Sequence, residues 1–256
     1  SLGKSLWDGF AFIKESKVIR GLIFGMLGAF FAAGAVIGLA RTFVDDLQAG
    51  EAAYGILFGA VFFGLALGIS FGPKVFAQFS RRRLFGISLT VSGLFLVTLS
   101  LVLNLVLAIF ITIILGFFAG ISWVTGFTML GMEVEDEMRG RTFAFMQSLI
   151  RVSLVLVLAI SPLIAAAIGR HTYTFRSTTV TYNGAAFTMF FAGVIAVIVG
   201  VLSYLQMRDR PNVSLLSDIR SAFRGELGAI TGQVTTGVFI TFEGGEGSGK
   251  STQTKL

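Results

Sequence analysis

Long stretches without a charged residue dominate the chain and define its expected elements. Uncharged runs cover residues 21–40, between Arg20 and Arg41, and residues 52–73, between Glu51 and Lys74. A third run extends from Leu84 to Met132. At 1.5 Å per residue it would make a helix about 70 Å long, far more than the ~30 Å of hydrocarbon in a bilayer. It must therefore fold into two helices, about 84–103 and 105–132, with Asn104 at the tip of a tight hairpin. A fifth run, 142–169, is interrupted only by Arg151, and a sixth, 184–207, follows Tyr182-Asn183-Gly184. Each is long enough for a crossing of about 20 residues. The expected fold is an all-α transmembrane bundle of six spans. Between the last two spans, Thr172 to Tyr182 is rich in Thr and aromatics and reads as a short extended loop.

Composition supports this picture. Charged residues make up 13% of the 256 and apolar residues 54%, with a mean hydropathy of +0.84. A soluble domain carries about twice that charge, and a disordered chain needs low hydrophobicity as well. With no Cys and a single His, thiolate metal sites, disulfides and a Cys nucleophile are excluded. The pI near 10 hints at nucleic acid until the basic residues are placed. Lys4, Lys14, Lys17, Arg20, Lys74, Arg81 to Arg83, Arg139, Arg141, Arg208, Arg210, Arg220 and Arg224 fall on one side of the six spans. Only Arg41, Arg170 and Arg176 fall on the other. By the bias of Lys and Arg toward cytoplasmic loops, both termini are expected to be cytoplasmic. The basicity is then a matter of topology, and no nucleic-acid partner is implied. A full-length first span followed by others excludes a signal peptide. The expected setting is the cell (inner) membrane, multi-pass, with lipid as the first partner.

Glycines recur at helical spacing inside the spans: Gly21 and Gly25; Gly55 and Gly59; Gly64, Gly68 and Gly72; Gly116 and Gly120. Small residues four apart let helix backbones approach closely in lipid. Two inner loops are strongly charged: Gly72-Pro73-Lys74 to Arg81-Arg82-Arg83, and Glu133-Val134-Glu135-Asp136-Glu137-Met138-Arg139-Gly140-Arg141. Acids at a helix C-terminus oppose its dipole unless cations lie nearby, and Arg81 to Arg83 are the obvious partners. Arg151, well inside a span, needs pairing, hydration or a snorkelling path to the interface.

These loops, with the lead-in Ser5-Leu6-Trp7-Asp8-Gly9-Phe10-Ala11-Phe12-Ile13, resemble the second half of a major facilitator superfamily transporter, over about residues 5–207. The family's usual Asp in the first loop pattern is missing. The resemblance implies that Arg81, Arg82, Arg83, Glu133, Glu135, Asp136, Glu137, Arg139 and Arg141 are inner-gate candidates. It also implies an N-terminal six-span half as partner, with substrate held between the halves. An acid in that half, or an anionic solute, is then an alternative partner for Arg151.

Past the last span the character changes. Residues 1–19 form the lead-in, 20–207 the spans, and 208–237 an amphipathic helix and linker. The helix is suggested by Leu215, Leu216, Ile219, Ala222 and Phe223 on one face, after Pro211. Residues 238–256 begin with Val238-Phe239-Ile240-Thr241-Phe242, a strand by pattern. It leads into Gly244-Gly245-Glu246-Gly247-Ser248-Gly249-Lys250-Ser251, a match to the phosphate-binding loop G-x-x-x-x-G-K-[ST]. In such a loop backbone N–H groups cradle phosphates, Lys250 reaches the β/γ oxygens and Ser251 holds Mg²⁺. The wording through Thr252 and Gln253 resembles the start of bacterial thymidylate kinase, and the order of parts resembles an actinobacterial-type fusion. That resemblance implies nucleotide binding by Gly244 to Thr252, catalysis by Lys250, and Mg²⁺, ATP and dTMP as cofactor and substrates. Glu246 then lies near the deoxyribose. The sequence thus reads as part of a membrane-bound thymidylate kinase, ATP + dTMP to ADP + dTDP. The alternative is a facilitator-type solute transporter with an incidental or degenerate kinase extension. With so little chain after Lys250, these 256 residues by themselves are expected to be inactive as a kinase.

Overall fold

The computed structural model describes residues 17–47, 49–77, 79–134, 136–175 and 178–207, with no account of the side chains of Lys17, Asp136 and 173–182. The lead-in, the amphipathic segment, the linker and the phosphate-loop motif lie outside them. Within them stand six helices: α1 (Lys17–Asp46), α2 (Glu51–Val75), α3 (Arg81–Leu101), α4 (Leu105–Glu133), α5 (Asp136–Ile168) and α6 (Gly184–Gln206). All six are long and apolar enough to cross a membrane. An antiparallel pair, β1 (Arg170–Phe175) and β2 (Thr178–Asn183), joins α5 to α6 in the register Arg170 to Asn183. The expected extended loop is thus a two-stranded hairpin.

Helix ends follow local chemistry. The long apolar run breaks at Val102, which is extended, and Asn104 caps α4 by accepting the Leu107 N–H at 3.1 Å. Asn183 caps α6 in the same way, accepting from Ala185 at 2.8 Å. α5 ends on Gly169, whose φ of +72° is open to glycine and whose N–H bonds the Ala165 carbonyl at 3.0 Å. The helices outrun the uncharged stretches: α1 begins four residues before Gly21 and continues past Arg41. In consequence Arg81 to Arg83 form the first turn of α3, and Glu137, Arg139 and Arg141 lie on α5, where inner loops were expected.

The packing order is set by glycines. Along α2, a Cβ on Gly64 or Gly68 would run into the backbone carbonyl of Ile113 or Phe117, and one on Gly72 into the side chain of Ile121. Along α4, a Cβ on Gly116 or Gly120 would run into the carbonyl of Val61 or Leu65. The two helices therefore touch backbone to backbone over two turns on each side. α3 and α6 meet similarly through Gly93 against Val197 and Gly193 against Val97. α6 is tied to α1 by the Ser203 hydroxyl, which donates to the Gly21 carbonyl at 2.9 Å, and α1 meets α5 through Gly34 against Val157. Gly55 and Gly59, expected to serve the same purpose, have nothing within 4 Å. They lie on the exposed face of α2, turned away from Ala53, Leu57 and Ala60, which are buried at the same level of the helix. α2 and α5 bury only 22% of their apolar stretch, against 44–50% for the other four, so these two form the edges of the bundle.

Substituting Gly68→Leu is expected to force α2 from α4 and lower the thermal midpoint in detergent by about 5 °C or more. Gly55→Ala, in open space, is expected to leave it within about 1 °C. Equal shifts for the two would contradict the backbone contact; monodisperse elution after heating reads both.

Candidate functional site

Two features combine side chains from several helices. The first is at the end of the bundle where α3 starts and α4 stops. Arg82 sits in the first turn of α3, at the positive pole of that helix, and Glu133 is the last residue of α4, at the negative pole. Each charge is unfavourable with respect to its own helix. The antiparallel pairing of α3 with α4 brings them together, and an Arg82 Nη atom donates to the Glu133 carboxylate at 2.6 Å. The pair is about one-third exposed on both sides, so its contribution is modest. Arg81 turns its guanidinium to the Met132 sulfur, whereas Arg83 is buried, 1% exposed.

Of the expected gate cluster, then, Arg82 and Glu133 meet directly. The acids do not all crowd one helix C-terminus, as the sequence suggested. A break at Val134 leaves Glu133 on α4 and puts Asp136 and Glu137 in the first turn of α5, where the dipole favours them. Glu137, Arg139 and Arg141 are exposed, and Glu135 lies outside the described residues. Arg151 is near the middle of α5, on its exposed face. Helix α5 starts at Asp136, about 22 Å back along the axis, and no hydrogen bond or ion pair of Arg151 occurs among the described residues.

The second feature escaped the sequence. A cavity of about 340 Å³ opens between α1, α2 and α4, with α3 and α6 as its floor. Its wall is almost wholly apolar: Phe30, Phe58, Phe62, Phe85 and Phe127 among the rings, with Leu57, Leu65, Leu89, Leu96 and Leu115. The polar positions are Ser92, Thr112, Ser122 and the indole of Trp123. Phe30 of α1 meets Trp123 of α4 edge to face, with centroids 5.1 Å apart, and Trp123 continues to Phe127 at 5.5 Å. Phe127 in turn meets Phe143 of α5 at 6.2 Å. This row of rings spans the gap between α4 and the α1–α5 pair, on the side of the cavity toward the Arg82–Glu133 end. Nothing in the sequence marked it, because an apolar residue facing a cavity is written in the same letters as one facing lipid.

Six helices long and apolar enough to cross a membrane thus surround a cavity, with an ion pair at one end of the bundle. The family model for the Major Facilitator Superfamily matches residues 20–243. The chain belongs to that superfamily, as a multi-pass transporter of the membrane. The match continues past the last span, through the run Val238 to Phe242. A search of the curated proteins found no match.

Exchanging the two charges tests the first feature. Arg82→Ala and Glu133→Ala are each expected to lower stability, with a coupling of about 1 kcal/mol in a double-mutant cycle. The charge swap Arg82→Glu with Glu133→Arg is expected to match or exceed the parent, since both charges then complement their helix dipoles. Additive single effects in thermal unfolding would show that the pair does not couple.

Proposed function

We propose that the chain moves a small solute through the cavity between α1, α2 and α4, with a second six-helix half closing the site from the other side. The observation that carries this reading is the cavity itself. It is walled by α1, α2 and α4 over α3 and α6, in a chain whose superfamily is built for transport and places its sites between paired repeats. Both termini are cytoplasmic in this reading, which puts the Arg82–Glu133 end at the inner face and the β1–β2 hairpin outside. The ion pair and the row of Phe30, Trp123, Phe127 and Phe143 then stand between the cavity and the cytoplasm.

A second reading, favoured by one motif, adds nucleotide chemistry. Gly244 to Ser251 carries the complete phosphate-loop pattern, with Lys250 for the phosphates, Ser251 for Mg²⁺ and Thr252 beside it. A polypeptide that continues this segment into a thymidylate kinase would couple a membrane region to the reaction of ATP with dTMP. Such a polypeptide is expected to form dTDP, and Lys250→Ala is expected to abolish it, because that ammonium stabilises the transferred phosphoryl group. Turnover that survives Lys250→Ala would remove this reading.

Transport and sidedness are checked separately. The chain joined to its second six-helix half, purified into vesicles, is expected to give saturable flux of at least one labelled solute from a panel of neutral, anionic and cationic compounds, absent from empty vesicles; no saturable flux of any of them would overturn the transport reading. The chain has no native Cys, so single Cys replacements at Ser80 and Thr178 report position cleanly. An impermeant maleimide added to intact cells is expected to label the Thr178 replacement and spare the Ser80 one. The reverse pattern would invert the topology, and labelling of both from outside would refute it.

A further inference from the structure

Arg151 is a charge that neither the cavity nor the Arg82–Glu133 pair accounts for. It lies on the exposed face of α5 and is not on the cavity wall. Arg141, ten residues before it, ends the charged start of that helix. Ten residues of helix rise about 15 Å, half of the ~30 Å of hydrocarbon in a bilayer. A cation near a helix end reaches the interface by snorkelling, whereas one at mid-depth is costly in lipid. Among the described residues Arg151 makes no hydrogen bond or ion pair. Acyl chains are therefore a poor cover for this face of α5.

The residues around Arg151 narrow down what covers it. Gln147 and Ser148 lie one turn toward the charged end, and Val155 and Leu158 continue the same side of the helix away from it, all exposed. The Ser148 hydroxyl already donates to the Ala144 carbonyl at 2.9 Å. Beyond Arg151 the face is apolar, with Val155 66% exposed. A water-filled solute path would have to run along those side chains, so an apolar partner carrying one anionic group fits the face better. A second copy of this chain is not that partner. The uncharged runs 21–40, 52–73, 84–132 and 184–207 hold no Asp or Glu, and the run 142–169 holds no charge but Arg151 itself. None of these spans offers a carboxylate at that depth.

We propose that this face of α5 packs against a transmembrane helix of the second six-helix half, and that this helix carries an Asp or Glu at mid-depth whose carboxylate pairs with the Arg151 guanidinium. The inference rests on the transport reading above for the existence of that half, and it adds a contact that joins the two. A guanidinium presents two parallel N–H donors to a carboxylate, and Gln147 brings an amide to the same side one turn away. Inside the membrane no water competes for the pair, and removing one member leaves the other as a bare charge. Arg151 is then a positioning residue, which holds the halves in register near the middle of the bilayer.

The chain joined to its second half is first tested with Arg151 intact and Val155 replaced by the photocrosslinker p-benzoylphenylalanine. Irradiation in membranes is expected to link this position to one transmembrane helix of the second half, whose apolar run is interrupted by an Asp or Glu. Crosslinks to lipid alone, to a second copy of this chain or to a helix without such an acid, or no crosslink at all, would each overturn the proposal. The pair is then tested by charge. Arg151→Ala is expected to lower the yield of monodisperse protein about tenfold. Neutralising the mapped acid together with Arg151→Ala, or exchanging the two charges, is expected to recover most of that loss. Failure of both double changes to recover it would overturn the pairing. Loss of anion flux in Arg151→Ala, with yield and crosslinks unchanged, would assign the charge to a solute and overturn it equally. Crosslinks and recovery in a protein that gives no saturable flux would defeat the transport reading alone. Saturable flux with crosslinks only to lipid would defeat this inference and leave transport intact.

Discussion

Everything in the bundle depends on how closely two apolar helices can approach in a solvent that is itself apolar. In water the exposed Leu and Phe of α2 would be driven inward, but in hydrocarbon they gain almost nothing by leaving lipid. What remains is contact between backbones, and only glycine permits it. Gly64 and Gly68 on α2 accept the carbonyls of Ile113 and Phe117, while Gly116 and Gly120 on α4 accept those of Val61 and Leu65. The pairing is reciprocal, so the two helices are locked in register as well as distance. It also explains how α2 can bury only 22% of its apolar stretch and still have a defined place. One narrow face carries its packing, and the rest is left to lipid or to another part of a transporter.

The same constraint makes the cavity. The α2–α4 pair is held by glycines at its own interface, and α1 is held by glycines to α5 and α6. Between these two groups no such stripe exists, and large rings stand there instead. Phe30 and Trp123 meet across the gap at 5.1 Å, which keeps the backbones apart. Thus glycine-mediated contact within each group and aromatic contact between them produce a hollow without any strained element. Pro162, inside α5, adds to this side of the bundle: it removes one backbone donor next to Ser161, whose hydroxyl borders Gly38 of α1.

Much of this was legible in the sequence, for identifiable reasons. Span number followed from the length of uncharged runs, and the break in the longest one followed from Asn104, because a polar capping side chain is rare in such a run. The glycine spacing pointed to close packing, and it was right for Gly64, Gly68, Gly72, Gly116 and Gly120. It failed for Gly55 and Gly59, since a spacing of four marks one face of a helix but not whether a neighbour covers that face, and at their level the buried positions are Ala53, Leu57 and Ala60. The charge cluster was legible as a cluster but not as a geometry. Helices extend through Arg81 to Arg83 and from Asp136 onward, and only knowledge of those ends tells which acid lies at an unfavourable pole.

The two ends of the bundle consequently differ in kind. At the α3–α4 end, the Arg82–Glu133 pair offsets two unfavourable dipole interactions, so separating it exposes each charge to the wrong pole of its own helix. At the hairpin end, Asn104, Asn183 and Gly169 satisfy the helix termini locally, and the start of α6 is seated against α5 by backbone contact of Gly184 with Ala165 rather than by charge. The Arg41–Glu51 pair at this end, 3.6 Å apart and largely exposed, adds little. The hairpin end has an attraction of its own, between Asp46 at the end of α1 and Arg170 at the start of β1. Among the described residues, no ion pair joins the ends of two packed helices there other than the exposed Arg41–Glu51 pair. The aromatic row from Phe30 to Phe143 lies on the same side of the cavity as the Arg82–Glu133 pair, so the contacts on that side are both ionic and apolar. An opening toward the hairpin end needs neither contact to break.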